Sequence, residues 1–269
     1  MGIMGGFLSK LGIASKWRLA FEVFPFLVII IVCKLISHYL DWEFLSLTSL
    51  FAAIISANIF LIGFLVSGVL VDYKESEKIP GDLACSIETI VDEALILYRN
   101  KKAEPAKNLL VYLEDFTTSV IDWLYKKERT EVMFERITGL NDFFLDFEPL
   151  TQANFIARLK QEQNSIRRMI TRIHTVRETS FVGTGYAIAE LISVILIIGL
   201  ILVKLDPYYE SVFFVMFVSF VLIYMLFFMK DLDNPFGYYL GGYVEDVSLR
   251  PLADLQTRLN NKLESLKVK

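Results

Sequence analysis

Four long stretches of this chain are almost free of charge, and nothing else in the sequence limits its fold so strongly. They cover about residues 19–40, 44–71, 181–203 and 209–229. The hydrocarbon core of a bilayer is about 30 Å thick, which an α-helix of about 20 apolar residues crosses. The second stretch contains no charged residue. The third carries only Glu190, and the fourth only Glu210, at its edge. The first is the least clean, with Glu22, Pro25 and Lys34. In lipid the backbone must satisfy its own hydrogen bonds, so these stretches are expected to be membrane-spanning helices. Whole-chain composition says less: 54% hydrophobic only slightly exceeds the ~45–50% of soluble domains.

Lysine and arginine placement sets the expected orientation. The N-terminal tail carries Lys10, Lys16 and Arg18, and the connector 41–43 carries none. The segment 72–180 holds sixteen Lys and Arg, and the tail after the fourth stretch holds six. The connector between stretches three and four has only Lys204. Both tails and the middle segment are therefore expected in the cytoplasm. Trp17 and Trp42 flank the first span as interfacial anchors. The expected organisation is a tail with spans one and two (1–71), a cytoplasmic helical domain (72–180), spans three and four (181–229) and a cytoplasmic C-terminal segment (230–269).

The first apolar run is too long for a signal-peptide core and has no small-residue cleavage site after it. The N-terminal MGIMGG lacks the Ser or Thr of a myristoylation signal. Cys33 falls in a span and Cys85 in the middle segment, which argues against a disulfide. A net charge of −4 gives no support for nucleic-acid binding.

Residues 72–180 read as helical nearly throughout. Pro80-Gly81 is expected to break the chain after span two, with Asp82 capping a helix over about 83–102. On that helix Ile87, Ile90, Val91, Ala94, Leu95 and Tyr98 recur at helical spacing. A turn at Pro105 precedes a helix over about 106–127, whose apolar face is Leu109, Leu110, Leu113, Phe116, Val120 and Leu124. A shorter helix and an aromatic loop over 141–149 follow, then a long arginine-rich helix over 150–178. Residues 244–266 form a last amphipathic helix. The long helix carries Arg158, Arg167, Arg168, Arg172 and Arg177. It reads either as a solvated face balanced by nearby acids or as a surface for anions or lipid headgroups.

Enzymatic chemistry has little to stand on. His38 and His174 are the two histidines, and no HExxH, CxxC, GxSxG or P-loop pattern occurs. No catalytic residue, metal site or cofactor is assigned. The polar residues inside the spans are the candidates for function, because charge in a bilayer faces protein or water. Lys34 either snorkels outward or pairs, with Glu190 as one partner. Glu190 alternatively faces water. In span two, Asn58 interrupts the apolar run, while Ser56, Phe60 and Phe64 recur every four residues on one helix face. Copies around an axis would turn that stripe into rings, and apolar rings gate ions by dewetting. The small residues Ala52, Ala53, Ala57, Gly63, Ser67 and Gly68 equally suit close helix packing.

Three segments resemble the bestrophins. Residues 59–80 (IFLIGFLVSGVLVDYKESEKIP) are similar to their second membrane helix, with Gly63-Phe64-Leu65-Val66 at the G-F-x-V element. Asp233-Asn234-Pro235-Phe236-Gly237 resembles their N-P-F-G segment, and 172–186 (RIHTVRETSFVGTGY) resembles the approach to span three. The resemblance implies an all-α fold with four membrane helices and a helical cytoplasmic domain, forming a homopentameric ion channel around an axial pore. By position the pore neck falls on Ser56, Phe60 and Phe64. Ser56 departs from the large apolar residue usual there. Tyr238-Tyr239-Leu240-Gly241-Gly242 replaces the acidic run of calcium-gated members, and the nearest acids are Glu245 and Asp246, so no calcium clasp is expected. Inorganic ions and lipids are the expected partners. Chloride is the expected ion and a cation the alternative, since some prokaryotic relatives favour cations. A non-conducting membrane scaffold or sensor and a secondary transporter are the competing readings. The absence of paired broken helices counts against the transporter.

Overall fold

The apolar stretches form helices because their aliphatic and aromatic side chains leave no competing turn chemistry, except at the short polar connectors. A computed structural model describes residues 14–179, 183–238 and 246–267. The described helices are α1 (Ala14–Tyr39), α2 (Ser49–Lys101), α3 (Glu104–Leu124), α4 (Thr130–Phe147), α5 (Ala153–Glu178), α6 (Gly183–Leu202), α7 (Tyr208–Asp233) and α8 (Arg250–Lys267). Two-residue strands β1 (Leu45–Ser46) and β2 (Val203–Lys204) pair in parallel, Leu45 with Val203 and Ser46 with Lys204. Four of the helical runs are long and apolar enough to cross a membrane.

The chain divides into two units, Met1–Tyr73 with Ser180–Asn234, and Lys74–Thr179 with Pro235–Lys269. In the first, α1 and α6 pack on α7 through Val23, Ile30, Leu200, Val215 and Ile223. The start of α2 joins α6 and α7 through Ile62, Leu65, Val69, Ala189, Leu196 and Leu222. Gly199 of α6 lies so close to α2 that a Cβ there would come within 2.9 Å of the Phe51 ring.

In the second unit, α3, α4 and α5 pack in succession and α8 lies on α3. The apolar residues expected on the 106–127 helix are all buried. Polar ties close the layers. The Gln163 amide donates to the Ile137 carbonyl (2.6 Å) and the Tyr112 hydroxyl to the Arg136 carbonyl (2.6 Å). Arg258 of α8 grips Glu88 of α2 through two nitrogens, at 3.0 and 2.8 Å. That hydrogen-bonded cation and desolvation act in opposite directions on Glu88, and the cation wins, holding the carboxyl below its usual range.

Three expectations are corrected. Pro80-Gly81 does not break the chain, because α2 runs through it from Ser49 to Lys101. Proline removes one backbone hydrogen bond, but Ile79, Pro80, Leu83, Ala84 and Ile87 are buried, and their packing holds the helix. Asp82 is exposed within it and caps nothing. Residues 141–147 are not a loop but the end of α4, where Phe144 and Phe147 enter the core. The last helix begins at Arg250, later than expected.

Candidate functional site

The membrane part of α2 has two unlike faces. Asn58, Ile62, Leu65 and Val69 point into the first unit and are buried. Ala53, Ser56, Ala57, Phe60, Phe64, Ser67 and Val71 are exposed. Phe60 is 77% and Phe64 70% exposed, large values for phenylalanine. The Ser56 hydroxyl donates to the Ala52 carbonyl of its own helix at 3.0 Å. The expected stripe of Ser56, Phe60 and Phe64 is therefore one open helix face. Gly63 lies beside it, and a Cβ there would meet nothing within 4 Å beyond its chain neighbours and its own helix backbone.

Asn58 is on the opposite face, 2% exposed. Its amide nitrogen donates to the Ser193 hydroxyl of α6 at 2.9 Å. Asn58 is thus paired across to α6. A single amide–hydroxyl bond in a membrane interior contributes about 0.6 kcal/mol on average.

Lys34 is wholly buried, and its partner is not Glu190. The ammonium meets the Ile201 carbonyl at 3.2 Å, the Val203 carbonyl at 2.6 Å and Glu43 Oε1 at 2.7 Å. The two carbonyls accept its hydrogen bonds, and Glu43 supplies the counter-charge. Nor does Lys34 snorkel to water. Glu190 stands eleven residues before Ile201 on α6, roughly 16 Å along the axis at 1.5 Å per residue. It is exposed, with no charged partner among the described residues.

The Glu43 side chain is only 4% exposed, and its second oxygen meets His38 Nδ1 at 3.0 Å. Burial pushes the Glu43 carboxyl up, but the Lys34 and His38 contacts outweigh it and hold the carboxyl below its usual range. The His38 ring, half exposed, stacks on Tyr208 with centroids 3.8 Å apart. Sequence reading missed Glu43 and His38. The available signal was the four-residue spacing of Lys34 and His38 on one helix face, with an acid just past the turn.

Of the N-P-F-G residues, Asn234 follows the last turn of α7, and Pro235, Phe236 and Gly237 are buried. The Pro235 carbonyl accepts from the Val247 amide at 3.0 Å. The Tyr186 hydroxyl donates to Asp233 at 2.9 Å, joining the start of α6 to the end of α7. Residues 239–242, which stand in place of the acidic run, and the nearby Glu245 lie outside the described residues, as do 180–182 and Lys10.

On α5, Arg158 pairs with Glu93 (3.0 Å) and Arg172 with Glu75 (2.9 Å). Arg177 lies 5.0 Å from the Trp123 ring and donates to its carbonyl at 3.3 Å. Arg167 donates to Thr138 at 3.2 Å. Much of the helix's positive charge is thus engaged within its own unit, while Arg168 is exposed.

Four long apolar helices, paired by two short connectors that meet at a buried charge centre, define an integral membrane protein. Its fold is that of bacterial bestrophin homologues. A bestrophin homologue from Klebsiella pneumoniae superposes with a TM-score of 0.77 at 13% identity, over 90% of this chain and 98% of the other. A variant of that homologue gives 0.73 at 14% identity, over 92% and 98%. A structure described as a membrane protein gives 0.75 at 13%, over 91% and 98%. No family model and no curated protein matches the sequence.

Proposed function

We propose that this protein is an ion channel in which copies of the chain surround an axial pore lined by α2. Phe60 and Phe64 form its dry constriction, and Ser56 lies one turn beyond them. The observation that carries this reading is the exposed Ser56–Phe60–Phe64 face, on a helix whose other face is packed. The outward residues of α1 and α7 suit lipid: Trp17, Phe21, Phe24 and Ile29 on one, Phe213, Phe214 and Phe217 on the other. The open stripe of α2 mixes Ala53, Ala57, Ser56 and Ser67 with two phenylalanines. Small residues let copies of a helix approach closely, and two aromatic rings exclude water between them. The resemblance of the α2 segment to the bestrophin neck points the same way.

In this reading the assembly is a homopentamer. The tails, 72–180 and 230–269 face the cytoplasm, as the lysine and arginine distribution favours. Chloride is the first ion to test and a monovalent cation the second. Planar-bilayer recording of purified protein tests conduction, and reversal potentials in asymmetric salt assign the ion. Wild type is expected to conduct, and Phe60→Ala with Phe64→Ala to raise open probability or conductance. Silence from both rejects the channel and leaves a non-conducting scaffold or sensor, or a secondary transporter.

A further inference from the structure

The buried charge centre joins both connectors of the first unit. Lys34 and His38 come from α1 and Glu43 from the connector leading to α2. The two carbonyls come from the end of α6 and from β2, and the stacked Tyr208 opens α7. Immediately beside it, β1 pairs with β2 through four residues alone. So short a ladder cannot hold two loops against water by itself. The ion pair supplies what the strands lack, because Glu43 is the one anion that meets the buried Lys34 among the described residues.

We propose that Glu43 is the pin of a proton-controlled latch that holds the α1–α2 connector against the α6–α7 connector, and that His38 sets how much acid opens it. With Glu43 charged, Lys34 is neutralised and the loops stay together. When Glu43 takes up a proton, Lys34 keeps its two carbonyls but loses its counter-charge, and a buried uncompensated ammonium favours the arrangement that admits water. His38 opposes this. It meets the other carboxylate oxygen, and whenever its ring carries a proton it adds a second positive charge against proton uptake by Glu43. The charged and titratable groups facing Glu43 are Lys34 and His38 from α1 and Tyr208 from α7; α6 and β2 contribute carbonyls. Asp41, Lys204 and Asp206 are exposed in the adjoining connectors.

The direction follows from Glu43. Its carboxyl is held below the usual value in the folded chain. The latch's contribution is therefore complete above the ordinary glutamate range, about pH 4.3, and is lost as pH falls through the lower folded value. Removing one cation moves that loss to higher pH.

Spin labels at Ser46→Cys and Lys204→Cys, the register partners of the bridge, read the latch directly. The background is the full chain in liposomes with Cys33→Ser and Cys85→Ser, labelled copies being diluted into unlabelled protein. The expected result is a single short distance at neutral pH and a second, longer population on acidification. His38→Gln should shift that transition to higher pH. Glu43→Gln should show the longer population at every pH. The pair Lys34→Met with Glu43→Leu should keep the labels close and remove the transition, and it decides the matter where Glu43→Gln does not fold. A folded Glu43→Gln protein that keeps only the short distance at neutral pH would overturn the proposal, as would an acid transition that persists in the Met/Leu pair. A His38→Gln transition at the wild-type pH would overturn the role given to His38.

Discussion

On α2, Phe60 and Phe64 stand away from the chain, while on α1 Lys34 is sealed inside it. A soluble domain of this size would do the reverse. The difference teaches that, for a membrane chain, exposure within one copy describes what the copy is waiting to meet. The open aromatic stripe lacks a partner inside the unit, whereas the lysine has all of its partners there. One region takes its environment from outside the fold and the other is finished by the fold. Substitutions should therefore act in opposite ways in the two places.

The largest effect is expected at the finished region. Lys34→Ala or Glu43→Ala strands one buried charge and should destabilise the protein by about 3–5 kcal/mol, read as a lowered thermal midpoint in detergent. Lys34→Met with Glu43→Leu should recover most of that loss. A single substitution costing under about 1 kcal/mol would break the comparison, since it would mean that water reaches the site.

Next comes the close approach of α6 to α2. Gly199→Leu drives a side chain into Phe51 and should cost about 1–3 kcal/mol. Gly63→Ala has open space and should be neutral or raise stability by up to about 1 kcal/mol through helix propensity. Equal losses at both glycines would show that the second also touches a neighbouring copy. Asn58→Ala should cost roughly 0.6 kcal/mol, and a loss beyond about 2 kcal/mol would mark Asn58 as part of a larger polar network. Smallest in stability is Phe60→Ala with Phe64→Ala, within about 0.5 kcal/mol per site as expected for exposed positions. Their effect should appear in single-channel current instead, and that dissociation is the sharpest form of the comparison.

The four apolar helices were legible in the sequence because length and absence of charge are properties of each segment alone. The open face of α2 was legible as well, since Ser56, Phe60 and Phe64 share a four-residue period. What could not be read depended on tertiary neighbours. Pro80 signals a break locally, yet the buried side chains before and after it carry α2 straight through. The 141–147 segment mixes Asn and Asp with phenylalanines and reads as a loop until Phe144 and Phe147 find a core. Lys34 could be assigned no certain partner, because two of its three contacts are backbone carbonyls, which look alike at every position in a sequence. Glu43 looked like a connector residue because only the folded connector brings it against Lys34 and His38 of α1.

The distances along the chain within the lysine centre also bear on how the protein is made. Glu43 follows Lys34 within nine residues, so the ion pair can form while the first helical hairpin is entering the bilayer. The Ile201 and Val203 carbonyls are synthesised 167 and 169 residues after Lys34. At about 5–20 residues per second that delay is roughly 8–34 s. Throughout it the first hairpin holds a charged side chain whose last acceptors do not yet exist. The second hairpin therefore completes the set of polar contacts around a lysine that the first one carries.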